Sequence, residues 1–161
     1  MNSTVSIKPW REIIQPHDDV ASGKYHQAEF AADLAQVIVN GAEPEYQEPN
    51  KFFKRTYITE GMSEFLLNSV DRLANSKGDP VIQLKTSFGG GKTHTMLALY
   101  HLFNPELEIQ KNENLKELFS NGKIGISKTS IAVLVGTAMN ATGEMNHGEI
   151  KVKTPWGYMA A

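Results

Sequence analysis

A glycine-rich stretch near the middle of the chain constrains its fold more than any other feature. Thr86-Ser87-Phe88-Gly89-Gly90-Gly91-Lys92-Thr93 follows a short apolar run, residues 81–84, and precedes a strongly apolar one, residues 96–103. Glycine lets the backbone N–H groups curl around an anion, and the N-terminus of a following helix adds partial positive charge. The order strand, glycine-rich turn, helix is typical of a phosphate-binding (Walker A) loop.

The residue types in this loop suit the chemistry of a nucleoside triphosphate. Lys92 is placed to reach the β- and γ-phosphates, and the Thr93 hydroxyl to hold Mg²⁺, so Thr93 is the candidate metal ligand. The candidate cofactor-binding residues are Ser87, Phe88, Gly89, Gly90, Gly91, Lys92, Thr93 and His94. The strict pattern has glycine where this chain has Thr86, which leaves open a glycine-rich connection with an incidental lysine.

The overall composition is that of one ordinary globular domain. The chain has 161 residues, of which 40% are apolar, a formal net charge of −2 and no cysteine. This charge balance gives no basic footprint for nucleic acid, and the lack of cysteine excludes disulfides and thiolate metal sites. No stretch approaches the roughly 20 apolar residues that span a bilayer, and the N-terminus lacks a secretory pattern. We therefore expect a cytoplasmic protein with no membrane contact.

Periodicity predicts an α/β fold of the P-loop NTPase type, with a parallel sheet and flanking helices, apparently incomplete and preceded by a mostly helical N-terminal segment. The predicted helices cover 29–39, 60–75, 93–103 and 104 to near Gly122, and a further helix starts at Pro155. The predicted core strands are 81–84 and 131–135, with an edge strand or hairpin arm over 149–153. An aromatic-bearing loop is predicted over 42–58. Thr59 is the expected N-cap of the second helix. The predicted segments are residues 1–58 and the front part of a nucleotide-binding domain, residues 59–161.

The acid and arginine that a nucleotide hydrolase needs are missing after the loop. Such an enzyme helps hold Mg²⁺ with an acid at the end of a second apolar strand and stabilises the transferred charge with arginine. The last aspartate is Asp79, all arginines precede the loop, and the strand predicted to end at Val135 is followed by Gly136-Thr137-Ala138. We therefore expect little hydrolysis by this chain alone and a sheet that is the front part of a larger one.

Several segments, taken in order, resemble a known family. They are Pro9-Trp10-Arg11-Glu12, residues 29–34, 52–61 and 81–95, and Val135-Gly136-Thr137-Ala138. They resemble the N-terminal part of the large prokaryotic P-loop ATPases known as domain of unknown function four-nine-nine, where threonine in place of the first glycine also fits. The resemblance implies ATP and Mg²⁺ as ligands, an ATPase completed by downstream sequence or a partner, further domains or protein partners, and a role in anti-phage defence. Nucleic-acid contact is implied by the family association only.

Two other functions share the loop, and several residues have two interpretations. A non-hydrolysing module could bind ATP and signal by ordering a partner surface. A small-molecule kinase would need an acceptor-site acid and an arginine-rich lid, which do not appear after residue 93. His94 could contact phosphate or a neighbouring subunit, or simply pack. Phe52, Phe53 and Tyr57 could stack on the adenine or anchor their loop to the core.

Overall fold

The computed structural model describes residues 8–23, 32–87, 89–119, 129–136, 145–147 and 150–160. The chain divides into two compact units, Met1–Ala31 and Ala32–Ala161. The described part of the first unit contains two single-turn helices, α1 (Trp10–Ile13) and α2 (Asp18–Ala21). In α1 the Arg11 guanidinium lies 5.2 Å from the centre of the Trp10 ring, close enough for a cation–π contact.

The second unit combines one long helix with several shorter elements. Its described elements are α3 (Leu34–Ile38), α4 (Pro44–Gln47), α5 (Pro49–Arg55), α6 (Glu60–Asn75), α7 (Lys92–Leu102), a 3-10 helix (Ile109–Lys111), α8 (Glu113–Leu118), β1 (Met145–His147), β2 (Ile150–Val152) and α9 (Pro155–Ala160). β1 and β2 pair antiparallel as a short hairpin.

Local side-chain chemistry sets where these helices begin and end. Asp33, Thr59 and Asn112 are N-caps, and the side chain of each accepts a hydrogen bond from a backbone N–H two or three residues further on. Proline occupies the first turn of α4 and of α5, where its missing N–H costs nothing. α6 ends at Asn75, and its C-cap Ser76 has a left-handed φ of 57°, which turns the chain so that the Lys77 N–H reaches the Asp71 carbonyl at 3.4 Å.

The core of the second unit is centred on α7. Helices α3, α5 and α6 pack on α7, and α8 packs on α5. Phe53, Leu66, Leu97 and Leu115 are fully buried in this core. Burying an apolar side chain of this size stabilises a fold by about 1.5–3 kcal/mol. The helix that follows the glycine-rich loop therefore packs against three other helices and contributes buried side chains to the core.

The predicted P-loop NTPase-type fold with a parallel sheet is wrong. In the part of the chain that the structure describes, the only paired strands are β1 and β2, which are antiparallel. Neither predicted core strand, residues 81–84 or 131–135, forms a strand, and Val81 and Ile131 are 76% and 43% exposed. A strand requires a neighbour that satisfies its backbone N–H and C=O groups, and the apolar pattern of one segment cannot supply that neighbour.

Several predicted elements are confirmed, and others need correction. The helix over 60–75 with its Thr59 cap, the helix after the loop, the hairpin arm and the helix at Pro155 are all present. The aromatic loop predicted over 42–58 is wrong, because α4 and α5 lie there. The helix predicted from 104 is a turn, a 3-10 helix and the short α8.

Two predictions lie partly or wholly beyond what the structure tests. Residues 29–31 and 120–122, at the ends of two predicted helices, are outside the described residues. Within the described residues, the helix predicted over 29–39 is shorter than expected, since α3 begins at Leu34 after the Asp33 cap. The boundary predicted between residues 58 and 59 stays a prediction, because packing contacts do not show where a segment can fold independently.

Within the described chain, none of the helices has the length and apolar character that a membrane crossing requires.

Candidate functional site

The glycines shape the loop that leads into α7. Gly89 and Gly91 have φ values of 79° and 72°, in the left-handed region that residues with side chains rarely adopt. At Gly90 the constraint is space, because an added Cβ would lie 2.6 Å from the Cβ of Thr86. The three glycines are therefore each required by the geometry of the loop. Phe88, also predicted to bind the cofactor, lies outside the described residues.

Lys92 turns back onto the loop that precedes it. Its Nζ donates hydrogen bonds to the carbonyl oxygens of Thr86 and Ser87, at 3.0 and 2.9 Å, and to the Thr86 hydroxyl, at 3.1 Å. An ammonium group has three protons, so these three oxygens can satisfy it completely. The loop thus holds a positive charge in place directly beside the start of α7.

The N-terminus of α7 lies next to this charge. Gly91 is the N-cap, and no side chain in the described residues caps the helix at this end. The first N–H groups of an α-helix have no partner within the helix, and the helix dipole makes this end favourable for an anion. Thr93 is exposed in the first turn, while the Thr95 hydroxyl donates to the Gly91 carbonyl at 3.0 Å.

His94 joins the first turn of α7 to the end of α5. Its Nε2 lies 3.0 Å from Thr56 Oγ1, and its ring centre lies 4.7 Å from that of Phe52. The Thr56 hydroxyl donates its single proton to the Phe52 carbonyl at 2.7 Å, so Nε2 of His94 carries the hydrogen that Thr56 accepts. Burial lowers the pKa of His94, which favours a neutral ring.

His101 occupies a fully buried position on the same helix. Its Nε2 lies 2.7 Å from the Tyr46 carbonyl oxygen, which can only accept, so this nitrogen is the donor. Its Nδ1 is buried and has no hydrogen-bond partner in the described part of the chain. Burial lowers the pKa of His101, and the hydrogen bond to Tyr46 opposes that shift in part. A proton on Nδ1 would therefore be buried without an acceptor.

Acidic groups around the loop are few. No group of three His, Asp or Glu residues among those described could hold a metal ion. The Asp79 carboxylate accepts from the Asn68 side chain at 3.0 Å, and Glu108 pairs with Lys111 at 2.7 Å. Glu144 and Glu149 lie outside the described residues. Thr93 accordingly stays the candidate magnesium ligand.

A cavity of about 650 Å³ lies between α6 and α7. Phe65 and Leu73 of α6 line it with Leu99 of α7 and with Phe103, the residue that follows α7. Residues 129–134 also line it. Lys92 also borders this cavity, but the remaining lining is mainly apolar. Phosphates need convergent donors and positive charge, so the loop suits them and the cavity does not.

Two contacts in the site were missed by sequence reasoning. Thr86, noted only as a departure from the motif, is a hydrogen-bond partner of Lys92. Thr56, which holds His94, had not been considered at all. The second pair is separated by 38 positions along the chain, so no local spacing could have indicated it.

Comparison with known proteins gives the family. No curated protein and no solved structure matches the chain. The family model described as the DUF499 N-terminal domain matches residues 7–161. This confirms the family expected from the sequence, although the match says nothing of anti-phage defence. Since the match spans nearly the whole chain, the protein belongs to the DUF499 N-terminal domain family.

Proposed function

We propose that residues 86–93 bind the phosphates of a nucleoside triphosphate, with ATP and Mg²⁺ as the ligands. The observation that carries this proposal is the position of Lys92, whose ammonium is held on the loop beside the uncapped N-terminus of α7. A fixed positive charge, free helix N–H groups and a backbone without obstructing side chains together make an anion site.

Among the described residues of the predicted site, Lys92, Thr93, His94 and the three glycines have roles that their positions permit. Lys92 would exchange the neutral carbonyls of Thr86 and Ser87 for phosphate oxygens, and hydrogen bonds between charged groups are the stronger ones. The Thr93 hydroxyl, exposed in the first turn, would bind Mg²⁺. Gly89, Gly90 and Gly91 would supply backbone donors. His94 would contribute indirectly, by fixing the first turn of α7 against α5.

Turnover by this chain alone is expected to be slow. Hydrolysis needs an acid that helps hold Mg²⁺ and an arginine that stabilises the transferred charge. Asp79 precedes the loop and is bonded to Asn68, and no arginine follows the loop. Further sequence or a partner would complete an ATPase.

The lack of an acid and an arginine after the loop also favours the alternative, an ATP-dependent interaction module that never hydrolyses its ligand. Cytoplasmic location and anti-phage defence remain expectations.

The direct test is the affinity of the full chain for MgATP, measured by isothermal titration calorimetry. Replacing Lys92→Ala removes a charge-assisted contact and should weaken binding by about 10- to 150-fold. Lys116→Ala is the matched control, since Lys116 is an exposed lysine on α8. Equal affinity of the Lys92→Ala variant and the parent, with circular dichroism showing both folded, would overturn the proposal.

A further inference from the structure

Three aromatic side chains between α4 and α6 could in principle meet the base of a nucleotide, and the structure separates them. Phe52 and Phe53 are 1% and 0% exposed, and their rings contact each other at 5.3 Å between centres. Tyr57 is 83% exposed. A ring must offer a free face in order to stack on a base, so among these three only Tyr57 is available.

The backbone on both sides of Tyr57 is anchored, although its ring is exposed. On one side, Thr56 is buried and bonded through its hydroxyl to the Phe52 carbonyl. On the other side, Thr59 caps α6. The residues on either side of Tyr57 are therefore held by hydrogen bonds, while its ring lies in solvent and is free to contact a ligand.

The anchored segment lies at the loop end of α7. Thr56 Oγ1 is 3.0 Å from Nε2 of His94, and His94 follows the phosphate-loop residues Lys92 and Thr93 directly. The Thr56 carbonyl also accepts from the Asn114 side chain at 3.4 Å, which adds a contact to α8. The position of Tyr57 relative to the loop is therefore set by specific hydrogen bonds through its neighbour.

We propose that Tyr57 stacks on the base of the nucleotide whose phosphates occupy the loop. This inference rests on the proposed function, because the loop must first hold the phosphates. Base and terminal phosphates are opposite ends of one ligand, so they need separate contacts on the protein. The Thr56–His94 hydrogen bond fixes the spacing between those contacts. A rigid tyrosine ring loses little conformational entropy when it stacks.

Stacking also defines the expected selectivity of the site. Every base has a π-face, so one aromatic ring tolerates different bases, and stacking strength sets the preference. ATP and GTP should therefore bind with similar affinity, and CTP more weakly, because a purine presents the larger face.

The experiment compares MgATP with magnesium tripolyphosphate, which has the phosphates and no base, using the full chain. Tyr57→Ala should weaken ATP binding by about 5- to 150-fold, the range of stacking losses on alanine substitution, and leave tripolyphosphate binding unchanged. Tyr57→Phe keeps the ring and should bind ATP like the parent. Lys92→Ala should weaken the binding of both ligands.

The outcomes distinguish this inference from the proposed function. If the parent binds neither ligand, the phosphate loop itself is wrong and the base contact falls with it. If the parent binds both ligands but Tyr57→Ala binds ATP as tightly as the parent, only the stacking is overturned. A Tyr57→Trp variant gives a second readout. ATP should quench the tryptophan fluorescence of this variant more than that of the parent, which has only the 2 native tryptophans, and tripolyphosphate should not.

Discussion

A methyl group added at Gly90 would collide with the side chain of Thr86, whereas one added at Gly61 would meet open space. Gly90→Ala should therefore displace Thr86, disturb the hydrogen bond that its hydroxyl accepts from Lys92, and weaken MgATP binding by about tenfold. Gly61→Ala, in the first turn of α6, should instead raise the free energy of unfolding by up to about 1 kcal/mol and leave ATP binding unchanged.

Both glycine variants can be measured by ATP titration and urea unfolding. Their comparison separates crowding in the loop from a general effect of replacing glycine. Wild-type affinity in Gly90→Ala would show that the loop relaxes without cost. The need for glycine in the loop is predictable from the motif, but the crowding at Gly90 is not, since it depends on how the Thr86 side chain is placed.

At the scale of single elements, α6 depends on its N-cap. The Thr59 hydroxyl accepts from the Met62 N–H at 3.3 Å, and the helix it starts carries the buried Leu66 into the core. Thr59→Ala should lower the free energy of unfolding by about 1 kcal/mol, measured by urea denaturation. Thr59→Ser keeps the hydroxyl and should stay near the parent, so equal losses in both variants would contradict a capping role.

The sequence predicts an element well when everything that defines the element is local. The cap at Thr59 and the apolar residues that recur at helical spacing over 60–75 all lie within or beside α6, and that helix is as predicted. α5 was missed because its 7 residues are too few to show a helical periodicity. Its helix is supported by the burial of Phe52 and Phe53 in the core.

The predicted core strands failed for a related reason. An apolar run such as residues 131–135 suits a strand, and it suits equally a segment without regular secondary structure that lines a cavity. Residues 131–134 have the second arrangement. Of the predicted strands, only the one over 149–153, given as an edge strand or hairpin arm, is present, because its partner β1 lies next to it in the sequence.

For the molecule as a whole, the buried imidazole of His101 and the partly buried imidazole of His94 make stability depend on pH. Burial lowers the pKa of both His94 and His101 in the folded chain, whereas unfolded histidine titrates near 6.5. Below about pH 6.5 the unfolded chain therefore binds more protons than the folded chain, so stability falls as the pH drops. The limiting slope is about 1.4 kcal/mol per pH unit for each histidine.

Thermal unfolding between pH 5 and pH 7.5 tests this dependence. His101→Gln retains a side-chain donor for the Tyr46 carbonyl and cannot titrate, so its melting temperature should fall less steeply toward low pH than that of the parent. His17→Gln, which replaces an exposed histidine, should retain the parent slope. Parallel profiles for His101→Gln and the parent would show that His101 does not carry the effect.

The shared space between Thr86 and Gly90 also bears on how this loop can evolve. A Cβ at position 90 meets the Thr86 side chain first and the Ser87 carbonyl, at 3.2 Å, next. Thr86→Gly would remove the main obstacle, so an alanine at position 90 should be tolerated better after that change than before it. The two positions are thus epistatic, and a lineage that gains a side chain at position 90 must first lose one at position 86.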